Sequence, residues 1–295
     1  MSVALIYHDV VPAGQFDDSG FPGPGAAHYK FSKGEFRSHL EALQRVAGSD
    51  FGTVNNSSLD TAGRRQPALP WLLTFDDGGT SSLLTIAGML EERGWTGHFF
   101  VTTDWIDSPG FLSRQQICQL RQRGHIVGSH SCSHPERMSA CPWAQLVDEW
   151  RRSCDVLSSI IGEQVTVASV PGGFYSRRVA QAATQVGIRT LFTSEPTVRQ
   201  RLVDGCTVVG RYAIDRGVSA RQVAAIVAGR VLPRLRQALL WQAKKLAKTI
   251  AGSWYTTVRE RILSSNYSPN SARRAVPLWP ENLDEKRNPE VLRMP

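Results

Sequence analysis

Short apolar runs alternate with helical patterns over the first 220 residues. Runs such as Val3–Tyr7 and Trp71–Phe75 predict buried strands, while apolar residues that recur every three or four positions from Trp143 to Ile161 predict an amphipathic helix. Strands separated by helices of about ten to fifteen residues are typical of parallel βαβ units. The pattern therefore predicts either a barrel or a doubly wound sheet.

The same pattern predicts four further strands and one prominent loop. The strands are expected at His98–Val101, Ile126–Val127, Val165–Val170 and Thr190–Thr193. Residues 14–27 are rich in Gly and Pro and predict a loop directly after the first strand. A parallel barrel keeps its functional loops at this position, so the loop is expected to border the site.

The composition adds three expectations. The chain has 295 residues, of which 41% are hydrophobic and 20% charged, which is typical of a globular protein and excludes collagen-like and disulfide-dense classes. Apolar runs stay below the roughly 18 residues that a membrane span needs, and the N-terminus lacks the basic region of a signal peptide. Five cysteines without a CxxC pair favour a reducing compartment, so a cytoplasmic protein is expected.

The formal charge of +8 is concentrated in one segment. Residues 221–263 carry nine Lys and Arg against Glu260 alone, a net charge of +8. Within 230–262, apolar residues fall at helical spacing, namely Leu232, Leu235, Leu239, Ala243, Leu246, Ile250 and Trp254. The sequence therefore predicts three parts: a domain at 1–220, a basic amphipathic helical extension at 221–263 and a loosely ordered tail at 264–295.

Three interpretations of the extension remain open. Its apolar stripe could pack against the domain, or the helix could dock on anionic lipid headgroups as a peripheral membrane contact at the inner face of the membrane. Nucleic-acid binding is the least favoured, because no aromatic and basic recognition module accompanies the charge.

Two adjacent carboxylates, Asp76 and Asp77, follow the second predicted strand and precede Gly78. Asp-Asp-Gly is also a common turn sequence, so on its own the motif is equally consistent with a solvated turn.

A histidine pair makes a functional interpretation stronger. His130 and His134 follow another predicted strand at an i, i+4 spacing, which on one helical turn would place both imidazoles on the same side. One carboxylate and two imidazoles form a three-ligand set for a divalent metal that leaves coordination positions open, as catalytic zinc sites do. Cys132 would then face away and is expected to be a packing residue.

These motifs resemble those of the polysaccharide deacetylases (NodB-like, carbohydrate esterase family 4). The Thr-Phe-Asp-Asp-Gly motif at 74–78, the His-Ser-x-x-His motif at 130–134 and the Pro-Gly-Gly motif at 171–173 occur in the family's order and approximate spacing. The resemblance covers roughly residues 3–215. It implies an α/β fold, a distorted (β/α) barrel with seven or eight parallel strands, followed here by the C-terminal helical extension.

The resemblance also implies roles for individual residues. Asp77, His130 and His134 would hold a divalent metal, most consistent with Zn2+, with Co2+, Mn2+ or Ni2+ as alternatives. Asp76 would be the general base that activates the attacking water. Independently of the resemblance, Pro171, Gly172 and Gly173 are weak candidates to border the substrate, and Phe174 and Tyr175, followed by Trp105, are weak aromatic candidates to stack on a sugar ring.

The sequence departs from the family pattern at two places. The family's late Leu-x-His motif is absent, but Leu-Ile-Tyr-His-Asp at 5–9 is similar to it, which suggests a circularly permuted member with His8 as the general acid. Ser169 stands where family members often have an Arg paired to the catalytic base. Without another cation, the pKa of Asp76 would be less depressed; Arg177 and Arg211 are the candidates to fill the gap.

The expected function is a metal-dependent hydrolase that removes N-acetyl, or less favoured O-acetyl, groups from a sugar in polysaccharide or glycolipid biosynthesis. Its partner would be an N-acetylated glycan or sugar-lipid. Two alternatives remain: a hydrolase of another non-peptide carbon–nitrogen bond, and a degenerate protein that binds a glycan or membrane without catalysis.

Overall fold

The computed structural model describes residues 3–47 and 71–243. Within them the strands, in chain order, are β1 (Val3–Tyr7), β2 (Val10–Val11), β3 (Phe31–Ser32), β4 (Trp71–Phe75), β5 (Gly97–Val101), β6 (Ile126–Ser129), β7 (Val167–Ser169), β8 (Thr190–Phe192), β9 (Gln200–Val203), β10 (Cys206–Val209) and β11 (Arg211–Ala213). The predicted strands β1 and β4 are confirmed to the residue.

Helices connect most of these strands. They are α1 (Pro24–Ala27), α2 (Lys33–Ala47), α3 (Gly88–Glu91), α4 (Arg114–Gln122), α5 (Trp143–Ile161), α6 (Arg177–Gln185) and α7 (Ala220–Val227). A π-helical segment, Ser82–Ala87, leads directly into α3. Helix α5 has the predicted bounds, and Gly162 ends it in a left-handed conformation with φ of 74°.

One large sheet organises the described residues. Its strand order is β11-β1-β4-β5-β6-β7-β8-β10-β9, and all neighbouring strands are parallel except β9 and β10. Strands β10 and β11 are consecutive in the chain and are separated only by Gly210. Because β10 pairs with β8 and β11 pairs with β1, a single residue joins the two sides of the sheet. The predicted α/β fold with a mostly parallel sheet is confirmed, and the sheet forms an open barrel, because its hydrogen-bond ladder does not close between β10 and β11.

Contacts across the inner face confirm that the sheet curls. The rings of Phe100 on β5 and Phe192 on β8 lie 5.3 Å apart between centroids, and the guanidinium of Arg211 on β11 lies over both. Side chains alternate between the faces of a strand, so Leu72, Thr74 and then Asp76 point inward. The inner face is therefore apolar in its middle and polar where the strands end.

Gly210 lies at a point of close backbone approach. A Cβ atom at this position would be 2.4 Å from the carbonyl oxygen of Glu195 and 2.5 Å from Thr197 Cγ2. Only glycine leaves room for this contact, which explains why the strand breaks here and changes its pairing partner from β8 to β1.

The outer face of the sheet packs against the helices to form the main core. Phe36 and Leu40 of α2 and Val223 and Ile226 of α7 are buried in the same cluster as the outward side chains of the strands. Helix α7 thus belongs to the core of the barrel, although the predicted extension begins at residue 221.

Residues 231–243 are helical, and their apolar stripe faces solvent. Leu232, Leu235 and Leu239 are 79%, 50% and 61% exposed. The opposite side faces the barrel, where Arg234 Nε donates to the Ile226 carbonyl at 2.8 Å and Gln237 Nε2 donates to the Ala213 carbonyl at 2.8 Å. For these residues, packing of the stripe against the barrel is wrong. The rest of the predicted extension and the tail at 264–295 lie outside the described residues.

Helices long and apolar enough to cross a membrane are absent from 3–47 and 71–243.

Candidate active site

Asp76 and Asp77 lie directly after β4, at the carboxyl end of the barrel. The Asp76 amide donates to the Tyr7 carbonyl at 3.1 Å, so the ends of β1 and β4 stay together. Asp77 has a φ of 77°, a left-handed conformation that is uncommon outside glycine. This turn directs both carboxylates into one pocket. His8 and His130 border that pocket, and each of them lowers the pKa of both carboxyls.

His130 and His134 follow β6 on a loop, not on a helical turn. Ser131 and His134 have φ values of 65° and 60°, and the His134 amide donates to Ser131 Oγ at 3.1 Å. The two imidazole centroids lie 5.2 Å apart. The predicted juxtaposition is therefore present, but the helical reason given for it is wrong: left-handed backbone and a serine side chain create it.

A buried carboxylate on α5 anchors this loop through hydrogen bonds. Glu149 of α5 is 5% exposed, and its Oε2 accepts the amides of Cys132 and Ser133 at 3.0 and 2.9 Å. Its Oε1 accepts the Ser133 hydroxyl at 2.6 Å. Cys132 is 1% exposed and its thiol contacts Asp104, so it is a packing residue, as expected.

Asp77, His130 and His134 form a group that could hold a metal ion. One potential ligand atom from each residue lies within 4.8 Å of the other two. His130 Nε2 and His134 Nε2 are 3.5 and 3.7 Å from Asp77 Oδ1. Burial alone would raise the pKa of Asp77, but His130, His8 and His134 hold it well below its usual range. Burial lowers the pKa of His134 to about 4. Asp77 and His134 are thus in forms that bind metal at neutral pH.

Arg211 fills the gap left by the family's missing arginine. Its Nη1 and Nη2 each donate to one oxygen of Asp76 at 2.8 Å, and its Nε donates to the Thr193 carbonyl at 3.1 Å. Burial would raise the pKa of Asp76, but Arg211 keeps it below its ordinary value. Arg177, the other candidate, has a side chain that is 74% exposed and lies near Asp204. The expectation of a less depressed pKa at Asp76 therefore does not apply.

His8 lies at the carboxyl end of β1 and reaches the same pocket. Its ring lies 5.0 Å from that of Tyr29. It lies close enough to Asp76 and Asp77 to lower the pKa of both carboxyls, and within the described residues its buried Nδ1 has no hydrogen-bond partner. The first strand thus supplies an imidazole beside the two carboxylates.

Comparisons with known proteins relate the chain to the polysaccharide deacetylases. The sequence profile of the polysaccharide deacetylase family matches residues 63–191. YxkH of Bacillus subtilis (strain 168), whose name assigns it to the polysaccharide deacetylases, is 25% identical over 195 residues, 66% of this chain and 69% of that protein. The peptidoglycan-N-acetylmuramic acid deacetylase PdaA of the same organism is 30% identical over 125 residues, 41% of this chain and 45% of PdaA. The solved structure of IcaB from Ammonifex degensii has a TM-score of 0.60 and 26% identity, and the match covers 77% of this chain and 96% of that one.

The chain is therefore similar to the polysaccharide deacetylases, whose family profile it matches over residues 63–191.

This similarity identifies the protein as a carbohydrate deacetylase, a hydrolase. The profile match contains the two carboxylates and the histidine pair, whereas His8 and Arg211 lie outside it. Strand β1 lies between β11 and β4 in the sheet, and the circular permutation stays a prediction.

An N-terminal loop, residues 12–23, covers one side of the deacetylase pocket. Phe21 of this loop lies 5.0 Å from the ring of His134 and 5.3 Å from that of Trp105, which is half-buried. Phe111 completes the cluster at 5.1 Å from Phe21. Trp105 therefore lies beside the candidate metal ligands, as part of an aromatic cluster.

Two buried charges fix this loop. The Lys30 ammonium, on a residue 1% exposed, donates to the carbonyls of Phe16, Ser19 and Phe21 at 2.6 Å each. Asp9 Oδ1 accepts the hydroxyls of Ser19 and Ser81 at 2.6 and 2.7 Å. A lone Lys in a loop gives no sequence signal for such a role, and neither residue was predicted.

The Pro-Gly-Gly motif forms a short 3-10 turn, Pro171–Gly173, next to residues 136 and 137. Phe174 lies under the guanidinium of Arg137 at 5.6 Å, and Tyr175 lies under that of Arg201 at 5.7 Å. Phe174 thus lies near the loop that carries His130 and His134, whereas Tyr175 packs against Arg201 of β9.

Glu149 is the missed residue that the sequence could have revealed. It falls on the apolar stripe of α5 between Leu146 and Trp150, and both of these are fully buried. A charged residue on a buried helix face requires a partner, and here that partner is the histidine loop.

Proposed function

We propose that the protein is a metal-dependent deacetylase that removes N-acetyl groups from a sugar in polysaccharide or glycolipid biosynthesis, with O-acetyl groups less favoured. One observation carries the proposal: Asp77, His130 and His134 converge to within 4.8 Å beside Asp76, whose oxygens Arg211 clamps from the other side. Two carboxylates with such different partners suit two different tasks.

The donor set fits a divalent ion, with zinc favoured. One carboxylate oxygen and two imidazole nitrogens match the ligands of catalytic zinc sites and leave positions for water and substrate. When bound, the ion would supply Lewis-acid chemistry by polarising the acetyl carbonyl and lowering the pKa of water. Co2+, Mn2+ and Ni2+ accept similar ligands and remain alternatives.

Asp76 is assigned as the general base. Arg211 keeps its carboxylate ionised and oriented, and Oδ2, which among the described residues accepts only from Arg211 Nη2, retains a lone pair for a proton from the attacking water. The water oxygen forms a bond to the acetyl carbon, and its proton goes to Asp76.

His8 is assigned as the general acid. Its imidazole lies beside the two carboxylates, from where it would donate a proton to the departing nitrogen as the carbon–nitrogen bond breaks. The products are acetate and a free amine on the sugar. Trp105 and Phe174 are proposed to contact the sugar ring, with Pro171, Gly172, Gly173 and Tyr175 bordering the same groove.

Acetate release with metal analysis tests this function. Protein loaded with zinc is expected to release acetate from N-acetylhexosamine oligosaccharides. Asp77→Ala should lose both zinc and activity, whereas Asp148→Ala, which removes an exposed carboxylate on α5, should keep both. Zinc binding without acetate release from any such glycan would favour the hydrolase of another carbon–nitrogen bond. Failure to retain zinc would favour the non-catalytic binder.

The proposal includes peripheral contact with an anionic membrane at the inner face of a cytoplasmic membrane, through residues 230–262. The described part of this segment presents Leu232, Leu235 and Leu239 to solvent, and its sequence has a net charge of +8 over 221–263. Exposed leucines on a basic helix suit a surface of acidic headgroups above acyl chains. Such contact would bring the site to a sugar-lipid substrate.

Vesicle sedimentation of the full chain tests this contact. Binding is expected to vesicles that contain phosphatidylglycerol and to be weak with phosphatidylcholine alone. Leu232→Ser with Leu239→Ser should abolish it, whereas Leu84→Ser with Leu202→Ser, which removes two leucines that are 67% and 73% exposed elsewhere, should not. Equal loss in both pairs, or a leucine-dependent dimer without vesicle binding, would contradict the membrane contact.

A further inference from the structure

Ser169 occupies the position at which the family's arginine is missing, and it contacts both halves of the candidate site. It ends β7 and is fully buried. Its Oγ lies 2.5 Å from His130 Nδ1 and 3.2 Å from Asp76 Oδ1. This one hydroxyl therefore connects a candidate metal ligand to the candidate base.

The direction of these hydrogen bonds follows from the Ser169 backbone. The Ser169 carbonyl, which can only accept, lies 3.2 Å from the same His130 Nδ1. The tautomer that satisfies both contacts has its hydrogen on Nδ1, which shares it between the carbonyl and the hydroxyl oxygen. The hydroxyl hydrogen is then free to be donated to Asp76 Oδ1.

This assignment has a consequence for the other ring nitrogen. A neutral imidazole with its hydrogen on Nδ1 has a lone pair on Nε2, and His130 Nε2 is the atom that faces Asp77 Oδ1 at 3.5 Å. The partner of the outer ring nitrogen sets which nitrogen can bind a metal, and its loss commonly weakens metal affinity.

Arg211 makes this arrangement possible. It approaches Asp76 from β11, on the opposite side of β1 from β4, and so satisfies the carboxylate without using position 169. A small hydroxyl residue can then stand between Asp76 and His130, where a long cationic side chain would point its charge toward the histidine.

We propose that Ser169 is a positioning residue that fixes the metal-binding tautomer of His130 and aligns Asp76 with the metal centre, an inference that rests on the proposed metal-dependent function. Arg211 holds the charge of the base, and Ser169 couples that base to the ligand set. The serine is thus a functional replacement within a rearranged site.

Zinc affinity of the metal-free protein, measured by chelator competition, tests the proposal without relying on turnover. Ser169→Ala is expected to weaken zinc binding roughly 10- to 100-fold. Ser169→Thr, which keeps the hydroxyl, should remain within a few-fold of the natural protein. Ser153→Ala serves as the matched control, because it removes another fully buried hydroxyl that contacts Ser129 and not the candidate ligands.

The outcomes separate this proposal from the function on which it rests. If the natural protein binds no zinc, the proposed function fails. If it binds zinc and Ser169→Ala binds equally well, only the role of Ser169 fails, and an equal loss in Ser153→Ala would likewise overturn it. Should Ser169→Ala not fold, Ser169→Cys keeps the side-chain size with a weak hydrogen-bonding group, and zinc affinity at the natural level would overturn the role.

Discussion

Strand β6 carries a histidine and carboxylate cluster at each of its ends, and the two clusters differ in how completely their groups are paired. At the start, His125 Nδ1 accepts the Gly97 amide at 3.1 Å and Nε2 lies 3.0 Å from Glu91, which also binds Arg123 through both oxygens. At the end, His130 and His134 face Asp77 at 3.5 and 3.7 Å, beyond good hydrogen-bond length.

The backbone conformation also distinguishes the two clusters. In the upper cluster, at the carboxyl end of β6, the non-glycine residues Asp77, Ser131 and His134 have positive φ. Such conformations cost about 1–3 kcal/mol each and persist where surrounding contacts impose them, which is common at functional sites. The lower cluster, around His125 at the start of β6, completes its own hydrogen bonds and stabilises the fold. In the upper cluster, potential metal-ligand atoms face each other without good hydrogen bonds between them.

The largest expected difference between the clusters concerns arginine. Arg211→Met leaves Asp76 charged, buried and unpaired, and should cost about 3–5 kcal/mol of unfolding free energy along with activity. Arg123→Met breaks a half-exposed pair and should cost about 1 kcal/mol or less. Urea denaturation of both variants measures the difference, and equal losses would erase the distinction drawn between the two ends.

Carboxamide substitutions compare the carboxylates themselves. Asp76→Asn removes the candidate base and should lower kcat about 100- to 10,000-fold. Glu91→Gln at the lower cluster should leave kcat unchanged within a few-fold. Steady-state acetate release gives both values, and a fully active Asp76→Asn variant would refute the assignment of the base.

Metal should stabilise the protein through the upper cluster alone. Zinc at about 100 times its Kd should add about 2.7 kcal/mol of unfolding free energy, seen as a higher Tm. Asp77→Ala should abolish the shift, and Glu91→Gln should retain it. A shift that survives Asp77→Ala would place the ion elsewhere.

The last expected effect lies outside both clusters and is a pH dependence from the barrel interior. His98 is fully buried, and burial lowers its pKa to about 4 from an ordinary value of 6.5. The unfolded chain then binds a proton that the folded protein excludes, so stability is lost as pH falls from about 6.5 toward 4, by up to about 3 kcal/mol. His98→Leu should flatten this part of a pH series of urea midpoints, and an unchanged slope would contradict it.

The sequence predicts the local features well and the long-range ones poorly. Strands β1 and β4 are uninterrupted apolar runs, and α5 has a clear helical stripe that ends at a glycine, so their bounds could be predicted. Strand β9 is missed because three of its four residues are exposed and carry no apolar alternation. The pairing of Arg211 with Asp76 could not be chosen, because it joins residues from distant strands whose approach depends on the curl of the sheet.

The break in the hydrogen-bond ladder at Gly210 has a consequence for how the chain folds as it is synthesised. Strand β1 leaves the ribosome before the other described strands, yet one of its two neighbours, β11, pairs Tyr212 with Leu5 and is synthesised some two hundred residues later. Such sequence-distant pairing slows folding, since the chain loses conformational entropy on closing the long loop before the new contacts stabilise it. Until that late strand docks, the nascent chain has an open edge at β1, and His8 stands on the least protected border of a growing sheet.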